Sequence, residues 1–161
     1  MSEISTRATL VAKFAELTSA LAALKAGASQ ARIDEGVARE SMQEAWRING
    51  QYSDMGRSAE LAMFAMLSAR QEAEAAESAN IAMQRDVLDK LTALPSGKVW
   101  VEAETKASAL LNHLQLAGGE EFSTALVAVQ SLRSSITASI TPEQLVNVCA
   151  VHLETIESAA S

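Results

Sequence analysis

Cys149 and His152 lie three residues apart, a spacing that places two side chains on one face of a helix. A thiol beside an imidazole suggests either a thiolate nucleophile or half of a zinc site. Either chemistry needs more groups, and His113 is the one other histidine, so only acids remain to complete a metal shell. The plainer expectation is a buried cysteine acting as a small hydrophobe beside a hydrogen-bonded histidine. A carboxylate-bridged dimetal site in a helical bundle requires two Glu-x-x-His pairs. Leu110 stands three before His113 and Cys149 three before His152, so that site is absent.

Other chemical motifs are missing as well. The chain has no G-x-G-x-x-G, P-loop, H-E-x-x-H or G-x-S-x-G. Gly118-Gly119 precedes a helix start, but Glu120 and Glu121 would repel an anion there, so the pair reads as a linker. Most acids fall on polar helix faces, where solvation explains them. The expectation is a protein that is not an enzyme, with no catalytic, metal or cofactor residues.

Charge and cysteine use narrow the setting. Thirteen Lys plus Arg against twenty Asp plus Glu give a net charge of −7, the opposite of a nucleic-acid footprint. The single cysteine cannot form an internal disulfide. Lys13 and Glu16 interrupt the apolar stretch Leu10 to Leu24, which leaves no signal-peptide core and no membrane span. A cytoplasmic place, or one inside an assembled particle, is the expectation.

The elements that must position these residues are helices. Thirty-one alanines against six aromatic residues, with two prolines and seven glycines, predict an all-α fold. The pattern suggests a single domain, an elongated bundle of about six helices, with an alanine-rich N-terminal region (residues 1–97) and a denser three-helix core (residues 98–161). Leu10, Phe14, Leu17, Leu21 and Leu24 step by four and three on a first helix ending near Gly27. That stripe fits either a coiled coil or an ordinary bundle. A second helix, Gln30 to Ile48, would turn Ile33, Val37, Ala45 and Ile48 inward and stop at Asn49-Gly50, with a loop to Gly56. A central helix runs Arg57 to Leu94, 38 residues without Gly or Pro. Later helices span Lys98 to Leu116, Glu120 to Ser139, and Pro142 onward. The last carries a capping box from Thr141 to Gln144, an Ile140–Leu145 pair spaced for a hydrophobic staple, and acids Glu154 and Glu157 that oppose the dipole of its final turn.

Along the central helix, Ser68 to Asn80 contains no Leu, Ile, Val, Met or aromatic residue. Ala62, Ala65, Ala69, Ala73, Ala76, Ala79, Met83 and Val87 form a small-residue stripe. Either it admits a neighbouring helix closely, or it is a solvated face supported by pairs such as Asp86 with Lys90. Met55, Met63, Phe64, Met66 and Leu67 crowd the helix start, and Trp46 with Arg39, Met42 and Arg47 nearby resembles an interface anchor or a core edge. The candidate interface is therefore Trp46, Met63, Phe64, Met66, Ala69, Ala73 and Ala76. The favoured function is a structural protein that self-associates through helices, such as a virion or secretion-apparatus component. The alternative is a small acidic module that docks on a basic site of another protein, since no Lys or Arg follows Arg133.

Overall fold

A computed structural model describes residues 2–161, which form five helices and no strand among the described residues. They are α1 (Glu3–Asn49), α2 (Asp54–Ala93), α3 (Pro95–Ala117), α4 (Glu120–Ala138) and α5 (Pro142–Ala159). The fold is all-α, with five helices rather than six. Two of them are long, α1 with 47 residues and α2 with 40.

Gly27 does not end the first helix. A lone glycine costs about 1 kcal/mol relative to alanine, whereas a break there would strand the backbone groups of two new helix ends. Gly27 and Gly36 both face open space inside the continuous α1. The inward set differs accordingly: Ile33, Val37 and Ile48 are exposed, while Ala31, Glu35, Ala38 and Met42 face in and Ala45 is half-buried. Glycine does stop the helix at Gly50, whose φ of 82° suits its role after Asn49.

The chain divides into two compact units, one of residues 17–84 and the other of residues 1–16 with 85–161. These boundaries fall inside α1 and α2, so they are invisible to a search for loops and composition shifts near residue 97. Unit 17–84 is an antiparallel helical hairpin. Its closed end is capped by Ser53, whose hydroxyl donates to Gly50 O at 2.8 Å and accepts from Gly56 N at 2.9 Å. A Cβ on Gly56 would lie 2.5 Å from Gly50 O, so the first turn of α2, which begins before Gly56, admits no side chain there.

The other unit is built around α3, α4 and α5. Ala103, Ala107, Leu114, Ala125, Val129, Leu132, Leu145, Cys149 and Ile156 make its buried cluster, with Trp100 and Phe122 packed against it. Pro95 ends α2 and opens α3 from the N1 position, which needs no N–H. The resulting corner is so close that a Cβ on Gly97 would sit 2.0 Å from Leu91 O. The capping box at α5 forms as its residues predict: Thr141 Oγ1 accepts from Gln144 N at 3.2 Å, and Gln144 Oε1 accepts from Thr141 N at 3.1 Å. Ile140 stays exposed while Leu145 is fully buried. The final turn of α5 does hold its helix to Ala159, and Glu157 pairs with Lys106 of α3.

Candidate association surface

The interior of the hairpin is thin and polar. On α1 the inward positions Leu17, Leu21, Leu24, Ala28, Ala31, Glu35, Ala38, Met42 and Ala45 alternate by four and three. On α2 the matching positions are Gly56, Glu60, Met63, Leu67, Arg70, Glu74, Glu77, Ile81 and Gln84, all buried or half-buried. Side chains that carry charge therefore meet in the middle. Arg70 Nη1 donates to Glu35 Oε2 at 2.6 Å, and Arg32 Nε donates to Glu74 Oε1 at 2.7 Å. Arg39 also donates to Glu35, whose side chain is 4% exposed. The hydrogen bond from Arg32 holds the Glu74 carboxyl below the usual carboxylate range. Such a layer admits one register, because a slip by a turn would set a buried charge against alanine or leucine.

Near the open end, Asn80 is buried and accepts from Gln84 Nε2 at 2.7 Å. At the closed end, Trp46 Nε1 donates to Gly56 O at 3.3 Å, so this tryptophan pins the hairpin turn and remains half-buried. Met63 also faces inward. Phe64, Met66, Ala69 and Ala76 are exposed, and Ala73 is half-buried. The alanine stripe thus lies beside the inward face of α2 rather than on it. Met63, Leu67 and Ile81 share the inward face with Arg70 and Glu74, whose partners Glu35 and Arg32 lie on α1. Asp86 and Lys90 pair at 2.6 Å on the outer surface.

Cys149 belongs to the buried cluster of α3, α4 and α5. Its thiol is buried, and burial pushes its pKa up despite a hydrogen bond with Ser135 and the nearby Arg7 charge. That direction opposes thiolate chemistry. His152 is half-buried one turn on. Among the described residues no cluster of His, Cys, Asp and Glu is placed to hold a metal ion.

Arg7 is the residue that sequence reading missed here. It is fully buried, and its guanidinium donates to Ser139 O at 2.9 Å and Ile136 O at 2.5 Å, the orphan carbonyls at the end of α4. Burial lowers its pKa, while Glu3 raises it. One turn earlier, Glu3 Oε1 accepts from Ser96 N at 3.0 Å in the first turn of α3, and interaction with Ser96, through its side chain first and its backbone second, lowers the Glu3 pKa. A base at one helix C-terminus and an acid at another helix N-terminus both complement the dipoles. An i,i+4 Glu-Arg pair on a helix is the only sequence signal, and it is too common to single out.

No helix among the described residues is long and apolar enough to cross a membrane. No protein-family model, curated protein or solved structure matches the chain.

Proposed function

We propose that the chain is a non-enzymatic structural or assembly protein that self-associates through its α-helices, with the hairpin as the associating element. One observation carries this reading. Among the described residues of the hairpin, the buried apolar side chains are Leu17, Ala28 and Met42, whereas Ile33, Val37, Ile48, Tyr52, Met55, Leu61, Phe64, Met66 and Met83 are exposed. Exposed apolar surface on this scale is a mark of interaction sites, and methionine adapts readily to a partner. A two-helix hairpin buries one face of each helix, and a further helical layer would cover the rest.

Sedimentation velocity over a micromolar concentration series tests the reading. A dimer or larger species is expected, with a melting temperature that rises with protein concentration. A monomer at all concentrations would overturn it. The acidic-module alternative would then lead, and salt-sensitive binding to a basic protein would be its own check.

A further inference from the structure

A groove runs between α4 and α5 on the three-helix core. One stretch, of about 530 Å³, is walled by Ser131, Ser134, Ser135, Ser139, Gln144 and His152, with Ala138 and Val148 alongside. A second, of about 490 Å³, shares Ser131 and His152 and continues past Val127 and Ala128 to Thr124 and Thr155. Both volumes fall in the range of small-ligand clefts, about 300–1,000 Å³. Of the six Ser and Thr residues of α4, five stand on this groove. Serine and threonine are poorer helix formers than alanine, so this hydroxyl face costs helix propensity that an alanine face would not.

Three of its polar side chains keep unused hydrogen-bonding capacity. Ser139 is 6% exposed, and while its carbonyl accepts from Arg7, its hydroxyl forms no hydrogen bond. Only a group sitting in the groove can satisfy that hydroxyl, and a buried one left unmet is costly. Gln144 Oε1 accepts from Ile140 N at 3.2 Å and from Thr141 N at 3.1 Å, which fixes the amide and leaves Nε2 as a free donor. The imidazole of His152, half-buried where the two stretches join, is likewise unbonded.

The chemistry of the wall selects the ligand. Among the described residues no Lys, Arg, Asp or Glu lines either stretch, so a charged ligand finds no counter-ion there. Beyond Thr124 and Thr155 the groove reaches Glu120 and Glu121, which repel a phosphodiester chain. An extended peptide needs a row of free backbone partners about 3.3 Å apart, and α4 and α5 have used theirs within the helices. Hydroxyl and imidazole groups each donate and accept, as the hydroxyls of a sugar do. Those of α4 recur by helical turns of about 5.4 Å, close to the length that one hexose adds to a linked chain. From Thr124 to Ser139 the groove extends about 22 Å, room for a few such rings. Val127, Ala138 and Val148 offer apolar contacts to their C–H faces.

We propose that this groove binds a neutral oligosaccharide, with Ser139, Gln144 and His152 as its hydrogen-bonding anchors. The site does not depend on self-association through the hairpin. The test is saturation-transfer NMR of the full chain with a panel of short neutral oligosaccharides, maltotetraose and chitotetraose among them. At least one should bind with a Kd of about 1 mM or tighter and shift backbone amides of α4 and α5 along the groove. Ser139→Ala removes the unpartnered hydroxyl, so it should weaken binding about tenfold while leaving the melting temperature unchanged or higher. Ser131→Leu fills the middle of the groove at a half-buried position and should abolish binding with the helical signal intact. Absence of any binder, amide shifts scattered outside the groove, or full binding by Ser131→Leu would overturn the proposal. So would tighter binding of a sulfated oligosaccharide or of a Gly-Ser peptide than of every neutral sugar.

Discussion

The three-helix core and the hairpin are made from similar residues, yet they are held together differently. The buried cluster of α3, α4 and α5 is apolar, with Leu132, Val129, Leu145 and Ile156 among its members, and the buried polar side chains of that unit, Arg7, Ser96, Ser135 and Ser139, stand outside it. In the hairpin the fully inward positions include Glu35 and Asn80, and the middle is spanned by ion pairs. Apolar burial is roughly proportional to area and indifferent to register, whereas an ion-paired layer contributes little net stability and is exacting about register. The lesson is that one region is built for stability and the other for alignment. An aligned, thinly packed hairpin with an open apolar face is suited to being completed by another helix.

The largest expected effect falls in the core. Leu132→Ala removes a fully buried side chain and should cost about 2–5 kcal/mol in a denaturant titration, leaving hairpin contacts untouched. A cost below about 1 kcal/mol would blur the contrast between regions. Next comes Arg7→Ala, which strands the Ile136 and Ser139 carbonyls and should cost about 3 kcal/mol. Arg7→Lys should recover only a fraction of this, because an ammonium lacks the forked donors that reach both carbonyls.

Within the hairpin, Glu35→Ala leaves Arg70 without its buried partner and should cost about 1–2 kcal/mol, moderated because Arg70 is partly exposed. The double change Glu35→Leu with Arg70→Leu should be neutral or stabilising while loosening the register. Spin-label distances across the two helices would broaden. A sharp, unchanged distance would show that apolar packing alone sets the alignment.

Smaller and opposite in sign, Gly27→Ala and Gly36→Ala should each stabilise by about 0.5–1 kcal/mol, since both glycines are helical and face open space. Gly97→Ala should do the reverse, because its Cβ would overlap Leu91 O. The smallest effect is on pH. Glu74 and Glu3 titrate below their ordinary values, so the stability they contribute is fully present above the unfolded carboxylate value of about 4.3. It is lost as pH falls through the lower folded values. Glu74→Gln should flatten the hairpin's share of that acid response in amide exchange, while Glu3→Gln should flatten the core's.

Much of the fold was legible. The stop at Asn49-Gly50, the turn at Pro95, the Gly118-Gly119 linker and the capping box at Thr141 all depend on local backbone preferences, which neighbouring residues dictate. Gly27 misled because a single glycine lowers helix propensity without ending a helix whose flanks favour it strongly. The candidate surface was only partly legible. Met66, Ala69 and Ala76 are exposed as an interface requires, whereas Trp46 is engaged with Gly56 inside the hairpin turn.

What the sequence determined by itself is the helical class, most helix ends and the absence of familiar catalytic motifs, because propensity, capping and residue spacing act over a few positions. Only the tertiary structure decided which face of each helix turns inward. Ile33 and Val37, placed inward by their spacing, are exposed, while Glu35 is buried and pairs with Arg70. The reason is physical: burial of a charge depends on whether a partner from a distant stretch of the chain arrives at hydrogen-bond distance, and no local pattern carries that information. The same holds for Arg7, whose acceptors lie more than a hundred residues away.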